Sequence, residues 1–431
     1  MAVAVEARRG SPGAREEEGR RPSLLFVNQH YWPDVASTGQ HLTDLAEYLA
    51  ERGWTVDVFC SRGRYLRGQV AAPLLETHNG VRIQRVRTTA FGRARHLGRL
   101  LDYASFYVQV LATIVFGRRR HDCVVFLTTP PLLSVLGRIA KLLRGQRYAI
   151  WSMDLHPDAE IASGMLAPRS PLTRLLVALD RFGLRGAELV VDLGRYMKRR
   201  LVAHGVREDR TATVNVWNRR GEVEPTPRER NPLIDELGLR DKFVVMYSGN
   251  AGIVHEFGPI LDAMRLTKDD PRIFWLFVGD GPRRGEIERF VRANGITNAT
   301  YREYFPREQL RYSLSVGDAH LISLRAPFVG ISVPGKLYGI MASGRPAIFV
   351  GPEASDSGET VIENGCGVVI DPARDDAATV LAGMVRRWAA SPAEAARMGE
   401  AGRAAFLERF ERDARCAQFA ELLDTTVSAR R

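Results

Sequence analysis

Short apolar runs alternate with amphipathic, helix-like stretches twice along this 431-residue chain, and this double alternation constrains the fold most. The first series spans residues 24–216. The second spans residues 243–370 and begins after the polar stretch 228–232. Strands that alternate with helices are typical of a parallel sheet covered by helices on both faces. The chain is also too long for one ordinary core. The sequence therefore predicts an α/β fold of two doubly wound, Rossmann-like domains that face each other across a cleft.

The changes in composition along the chain predict where these domains begin and end. We expect a disordered tail at residues 1–22, because this stretch is charged, contains Gly and Pro, and lacks the apolar core of a signal peptide. The predicted N-terminal domain covers 23–222, the linker 223–240, the C-terminal domain 241–423 and a second tail 424–431. Ligands of such sheets bind at the carboxyl ends of the strands, so the cleft is the expected site.

Charge and cysteine usage narrow the classes of function. The net charge of +11 comes mostly from the N-terminal half, and a positive field attracts nucleic acid, anionic lipid or a phosphorylated substrate. The sequence contains no helix-turn-helix, zinc-finger or aromatic-basic RNA motif, so we expect no nucleic-acid partner. Four scattered cysteines without a CxxC pair argue against a metal cluster or a disulfide framework and indicate a reducing compartment.

Residues 332–350 predict a loop with one lysine, a short helix and an apolar strand. A loop that leads into a helix presents free backbone N–H groups, and Lys336 adds a positive charge beside them. This combination suits a diphosphate. The alternative interpretation is an ordinary loop, helix and strand with a surface lysine.

Several fragments in one order resemble the GT-B glycosyltransferases of family 4, and in particular the bacterial enzymes that build O-antigen, capsule or exopolysaccharide. The resemblance covers nearly all of residues 23–423. Its fragments are residues 27–39, 128–132, 152–157, 215–218, 247–257, 278–282 and 333–338.

The resemblance implies a retaining, hexosyltransferase-like reaction that needs neither metal nor cofactor, because the nucleotide-sugar is a substrate. The donor, with UDP favoured, would bind mainly to the C-terminal domain. The acceptor, a glycan linked to polyprenyl diphosphate, would bind mainly to the N-terminal domain. The expected location is cytoplasmic, peripheral on the inner face of the bacterial plasma membrane. The sequence agrees with the implied metal independence, since no Asp-x-Asp carboxylate pair stands in a strand-end loop.

The same motifs carry the candidate site residues. Asp154 and Lys336 are the catalytic candidates, and Thr38, Gly39 and His156 are candidates on the acceptor side. The donor-binding candidates are Gly249, Asn250, Gly252, His255, Gly279, Gly281, Gly330, Ser332, Val333 and Leu337. Two alternatives stay open: Gly279 and Gly281 could form a plain tight turn, and residues 154–157 could be a helix cap and turn.

The chain departs from the family pattern in several places, among them the family's Arg/Lys pair after the strand before Gly249, near whose positions Asn250 and His255 stand. The family's two glutamates, eight residues apart, are replaced by Ile331 and Gly339, and the second of them is the one that grips the ribose. Met153 stands where many members have a histidine before the aspartate. We expect the main-chain amides of residues 330–333 to hold the sugar or the phosphate instead.

Residues 91–120, which begin with Phe91 and end with Arg120, combine an uncharged stretch with arginines at both ends. The stretch is too short to span a bilayer, but a helix of this kind can lie on an anionic membrane surface. The alternative is a buried helix of the sheet.

The sequence thus predicts a retaining glycosyltransferase that acts on a lipid-linked glycan in cell-surface polysaccharide synthesis. Two other functions stay open. One is a catalytically silent GT-B protein that binds a nucleotide-sugar or a partner transferase, and the other is a sugar-nucleotide epimerase.

Overall fold

A computed structural model describes residues 22–34, 36–62, 72–86, 96–219 and 221–428 of the chain. Of the predicted tails, residues 1–21 and 429–431 lie outside the described residues. The rest of the chain forms two sheets, one of eight strands and one of six, as two doubly wound α/β domains. This architecture confirms the predicted fold class.

The N-terminal sheet has the strand order β3-β4-β2-β1-β5-β6-β7-β8. Every neighbouring pair is parallel except the edge pair of β3 and β4, which the sequence pattern did not indicate. The strand order reverses between β1 and β5, so a crevice opens at the carboxyl ends of these two strands. The strands are β1 Ser23–Val27, β2 Thr55–Ser61, β3 Leu75–His78, β4 Val81–Val86, β5 Cys123–Phe126, β6 Tyr148–Trp151, β7 Leu189–Asp192 and β8 Thr211–Thr213.

Helices cover both faces of this sheet because β1, β5, β6 and β7 are almost entirely apolar and are buried on both sides. The helices are α1 Ser37–Glu51, α2 His96–Phe116, α3 Leu133–Arg144, α4 Asp158–Ala162, α5 Pro171–Arg185 and α6 Arg195–Ala203.

The C-terminal sheet is parallel throughout, in the order β11-β10-β9-β12-β13-β14, and reverses between β9 and β12. Its strands are β9 Phe243–Ser248, β10 Ile273–Val278, β11 Ala299–Arg302, β12 Ala319–Ser323, β13 Ala347–Val350 and β14 Gly367–Ile370. Its helices are α7 Pro232–Glu236, α8 Gly258–Leu266, α9 Arg284–Ala293, α10 Leu310–Val316, α11 Lys336–Ala342, α12 Asp356–Glu363, α13 Ala377–Ala390 and α14 Ala393–Ala405.

The last helix, α15 Arg412–Ser428, returns to the N-terminal domain after a π-helical turn at Phe406–Phe410. The Phe419 ring packs edge-on against Trp151 at 4.8 Å between ring centroids, and Trp151 stacks on Trp217. Arg147 donates to the carbonyl oxygen of Val427 at 3.0 Å. The end of the chain therefore links the two domains through the core of the first.

Helix α2 holds the described part of the segment predicted to contact membranes; residues 91–95 lie outside the described residues. Phe106, Val110 and Ile114 are buried, so one face of α2 packs in the core as the alternative interpretation expected. Val108 and Phe116, on other faces, are 69% and 82% exposed. Among the described helices, none is both long and apolar enough to cross a bilayer.

Candidate functional site

The loops that follow β9 and β10 interlock at the crevice of the C-terminal sheet. A methyl group on Gly279 would lie 2.2 Å from the carbonyl oxygen of Gly249, and one on Gly281 would lie 2.5 Å from Asn250 Oδ1. Both residues adopt positive φ angles, +136° and +139°, which side chains rarely tolerate. Packing of one loop on the other therefore requires glycine at both positions. This packing is more specific than the plain tight turn of the alternative interpretation.

The Lys336 side chain turns inward, toward these loops. Its Nζ atom is shielded from solvent and has no hydrogen-bond partner among the described residues. The ammonium lies 3.9 Å from the centroid of the Tyr247 ring, and a methyl group on Gly249 would stand 3.3 Å from it. Burial lowers the pKa of Lys336 to about 7. A shielded cation without a counter-ion is costly unless an anion occupies the site.

His255 closes the same corner of the crevice as a neutral ring. Its Nδ1 atom is 2.7 Å from the carbonyl oxygen of Ser323, the last residue of β12. Burial, with a further contribution from Lys336, lowers the pKa of His255 to about 3. The imidazole is thus uncharged at neutral pH, and Nδ1 donates to Ser323 while Nε2 keeps its lone pair.

Two other candidates in this loop differ in what they offer a ligand. The Asn250 carbonyl oxygen is already used, because it accepts a hydrogen bond from the Tyr247 hydroxyl at 2.8 Å. Gly252 has open space around it, and the nearest atom to a methyl group there would be Asn250 Nδ2 at 3.4 Å.

The loop 330–333 belongs to the C-terminal domain but contacts the N-terminal one. Gly330 has a φ of +70°, and a methyl group there would lie 2.6 Å from the carbonyl oxygen of Tyr196. We expected the main-chain amides of residues 330–333 to hold the sugar or the phosphate. Instead, the amides of Ile331 and Ser332 donate to the carbonyl oxygen of Phe328, so these two are not free for a ligand.

Two donor candidates next to this loop are less available to a ligand than the motif suggested. Val333 is partly buried against the core. The Leu337 side chain is fully buried in the core, so any donor contact from Leu337 has to come from its main chain.

Asp154 meets this loop from the other side of the cleft. Asp154 and Ser332 form an isolated antiparallel bridge, and the Leu155 amide donates to the Ile331 carbonyl oxygen at 3.0 Å. Burial raises the pKa of the Asp154 carboxyl, although its hydrogen bond with the Ser332 side chain acts in the opposite direction. The structure therefore brings Asp154 and Ser332 together. Residues 156–157 form the turn into α4 and Pro157 occupies its N-cap position, as the alternative interpretation expected, but no side chain caps the helix.

The other acceptor-side candidates surround the crevice of the N-terminal sheet. The His156 Nδ1 atom is 2.8 Å from Glu160 Oε1, and although burial opposes the charge, this carboxylate raises the pKa of His156. Thr38 and Gly39 lie in the first turn of α1. A methyl group on Gly39 would lie 3.2 Å from the His30 backbone, so glycine allows α1 to approach the loop after β1.

Sequence reasoning missed the residues that hold the donor loops in place. Tyr247 lies below the Lys336 ammonium, and its position two residues before Gly249 was the only available signal. Arg283 donates to the His255 carbonyl oxygen at 2.5 Å and pairs with Glu286. At Gly339, where the ribose-binding glutamate is missing, a methyl group would lie 3.5 Å from Asn218 Nδ2. The described residues contain no group of three or more His, Cys, Asp or Glu that could hold a metal ion.

A Gly→Ala substitution should have opposite effects at two glycines, one in the interlocked loops and one on the surface of α13. Gly281→Ala should lower the free energy of unfolding by about 2 kcal/mol or more, because the methyl group meets backbone and the φ angle is unfavourable. Gly383→Ala, at an exposed position of α13 with open space around it, should raise it by about 0.5–1 kcal/mol. Urea unfolding measures both. Wild-type stability in Gly281→Ala would contradict the packing described here.

The chain is similar in sequence to known glycosyltransferases. The family described as "Glycosyl transferase 4-like domain" matches residues 38–217. The probable glycosyltransferase WbjE of Pseudomonas aeruginosa is 28% identical over 58% of this chain and 62% of its own length. WcaI of Escherichia coli (strain K12), whose name refers to colanic acid biosynthesis, is 24% identical over 78% of this chain and 85% of its own.

One solved structure extends the agreement to the whole fold. Anabaena Alr3699/HepE in complex with UDP-glucose has a TM-score of 0.70 at 18% identity, over 94% of this chain and 99% of that one. The motifs, the two facing sheets and these matches agree: the chain has the GT-B fold and is similar to the glycosyltransferases of family 4.

Proposed function

We propose that this protein is a retaining glycosyltransferase that moves a sugar from a nucleotide-diphosphate sugar, with UDP favoured, to a lipid-linked glycan in cell-surface polysaccharide synthesis. The observation that carries the proposal is the Lys336 ammonium, which is shielded, has no counter-ion in the part of the chain that the structure describes, and lies beside the loop after β9. A diphosphate bound there would supply the missing negative charge.

Lys336 would do most of its work as the reaction proceeds. When the bond between the sugar C1 and the phosphate oxygen breaks, negative charge grows on the leaving diphosphate. A fixed cation in a water-poor site stabilises that charge more strongly than one in solvent. The neutral His255 ring adds no second charge, so Lys336 is the group on which this stabilisation depends. Metal independence is part of the proposal.

Asp154 is the residue proposed to act on the acceptor side. It lies at the carboxyl end of β6 and touches the Ser332 loop of the donor domain, so it faces the place where the two substrates meet. In the transfer, the acceptor oxygen bonds to C1 and its proton moves to the leaving phosphate oxygen or to Asp154. The carboxylate would accept that proton or stabilise the positive charge on the sugar.

Two relatives support the choice of donor and pathway. HepE binds UDP-glucose on the same fold, and WcaI is named for the biosynthesis of colanic acid. The acceptor, a glycan on polyprenyl diphosphate, fits the positive charge of the N-terminal half. We further propose that the protein is peripheral on the inner face of the plasma membrane, with residues 91–120 at the lipid surface.

The central test measures nucleoside diphosphate released from UDP-, GDP- and ADP-sugars in the presence of a membrane lipid extract. Wild-type protein should release UDP. Lys336→Met, which keeps the side-chain volume but removes the charge, should lower kcat by about 100-fold. Its melting temperature should equal or exceed the wild-type value, because the variant no longer buries an unpaired ammonium. Undiminished turnover in Lys336→Met would refute the role of this residue.

Titration offers an independent check on the same group. The free protein loses the Lys336 proton as the pH rises through about 7. UDP affinity should therefore fall above that pH, by up to about tenfold per pH unit, and Lys336→Met should lack this dependence. Calorimetric titration of UDP between pH 6 and pH 9, roughly the interval that brackets the pKa, measures it.

The role of Asp154 predicts a loss of rate without a loss of donor affinity. Asp154→Asn keeps the size and the hydrogen-bonding capacity toward Ser332, so it should lower kcat by about 10²–10⁴-fold while the Kd for UDP changes less than about twofold. Kinetics and calorimetry on the same preparation separate the two effects. Equal losses of affinity and rate would mean that Asp154 only holds the two domains together.

The proposed membrane contact near the end of α2 predicts that charge reversal there weakens binding to vesicles. Arg118 and Arg120 are exposed, whereas Arg119 pairs with Asp57 at 2.9 Å and is best left unchanged. Arg118→Glu with Arg120→Glu should reduce cofloatation with anionic liposomes at low salt by at least about tenfold. Cofloatation equal to that of the wild type would remove this segment from the proposal.

A further inference from the structure

Helices α2, α3 and α5 lie side by side on one face of the N-terminal sheet, away from the donor loops. Helices α3 and α5 carry many more basic than acidic residues. Together they carry one carboxylate, Asp180, which is buried and lies 3.3 Å from the His204 ring. Their six cations are Arg138, Lys141, Arg144, Arg174, Arg181 and Arg185.

Some of these cations are already paired. Lys141 pairs with Glu188 at 2.6 Å, and Arg144 donates to the carbonyl oxygens at the end of α2. Within the described part of the chain, Arg138, Arg174 and Arg181 form no ion pair with a carboxylate. Their charges are therefore available to an anion from outside the protein.

These free guanidinium groups line one groove between α3 and α5. The groove has a volume of about 650 Å³ and is also lined by Phe182 and by Arg185, whose Nε atom donates to the His204 carbonyl oxygen at 3.3 Å. The Arg138 guanidinium lies 5.6 Å from the Phe182 ring centroid, and its Nε atom is buried without a hydrogen-bond partner. Planar guanidinium groups that converge on one space suit the oxygens of a phosphate group.

Exposed apolar side chains stand on the same two helices as this groove. On α5, Leu172 and Leu175 are 56% and 57% exposed, and at the end of α3 Leu142 and Leu143 are more exposed still. The exposed face of α2, with Val108 and Phe116, continues the same surface. Arginines interleaved with exposed leucines are typical of a face that rests in the headgroup region of an anionic bilayer.

We propose that the groove between α3 and α5 binds the phosphate of an anionic phospholipid headgroup, with the flanking leucines at the boundary of the acyl chains. A free phosphate would leave those leucines in water, whereas a phospholipid uses both the charge and the apolar surface. The inference deepens the membrane association proposed above, because it adds a headgroup site on helices other than α2. It does not depend on sugar transfer.

The test is cofloatation of the full chain with vesicles of phosphatidylglycerol and phosphatidylcholine, compared with phosphatidylcholine alone. Arg174→Gln with Arg181→Gln should reduce partitioning onto the anionic vesicles by about 25-fold, since each arginine near such a surface contributes roughly a fivefold gain. The matched control is Arg289→Gln with Arg292→Gln, which removes two exposed charges from α9 of the other domain and should leave partitioning unchanged.

Three further measurements decide what occupies the groove. Leu172→Ser with Leu175→Ser should also weaken partitioning, which an effect of charge alone would not produce. Millimolar inorganic phosphate should compete weakly; complete displacement would mean a free phosphate site and overturn the proposal. Loss of an oligomer in the arginine variant, seen by sedimentation, would mean that a second copy covers this face and would overturn it as well.

The outcomes also separate this inference from the proposed reaction. UDP release on a detergent-dispersed acceptor should be equal in wild type and in Arg174→Gln with Arg181→Gln, because the groove lies away from the donor loops. If cofloatation behaves as expected while no UDP is released, the transferase proposal fails and the lipid site stands. If the arginine variant floats like the wild type, the lipid site fails alone.

Discussion

The structure of the cleft depends on one electrostatic constraint, the Lys336 ammonium, which is held out of water and has no counter-ion among the described residues. The face of the Tyr247 ring favours its charge, and burial holds the pKa of Lys336 near neutrality. A buried ammonium without a partner lowers the stability of the ligand-free protein, and the binding of an anion offsets this loss. The glycine loops around Gly249 pack closely on each other beside Lys336. The negative charge of a donor diphosphate would complement the ammonium there.

The two domains share one hydrophobic cluster, which includes Trp217 of the first and Tyr338 of the second, and a few specific contacts join their cleft loops. The loop at Ser332 reaches Asp154, and on the other side of the cleft the Tyr196 amide donates to the Asp356 carboxylate at 3.0 Å. Gly330 and Gly194 allow these backbones to approach closely. The donor loop is thereby held against the domain proposed to bind the acceptor. Sugar transfer requires this proximity, because the acceptor oxygen must reach C1 of the donor sugar.

Much of the fold followed from local pattern. The predicted second series, residues 243–370, begins with the strand Phe243–Ser248 and ends with the strand Gly367–Ile370, because a run of apolar residues between turns has few other structures available. The return of α15 to the N-terminal domain was not predicted. Helix α15 packs on the N-terminal domain through its contact with Trp151, which is distant in sequence. A local sequence pattern therefore cannot predict that contact.

The sequence by itself determined the class of fold, the order of the motifs and the residues that gather around the cleft, because periodicity and glycine placement act over a few neighbouring residues. Only the tertiary structure decided what those residues do there. It turned Lys336 inward, used the amides of Ile331 and Ser332 in hydrogen bonds to Phe328, placed the Leu337 side chain in the core, and left Arg138, Arg174 and Arg181 without an ion pair among the described residues. Each of these depends on which distant segments pack together, since charge pairing and burial are properties of the assembled chain.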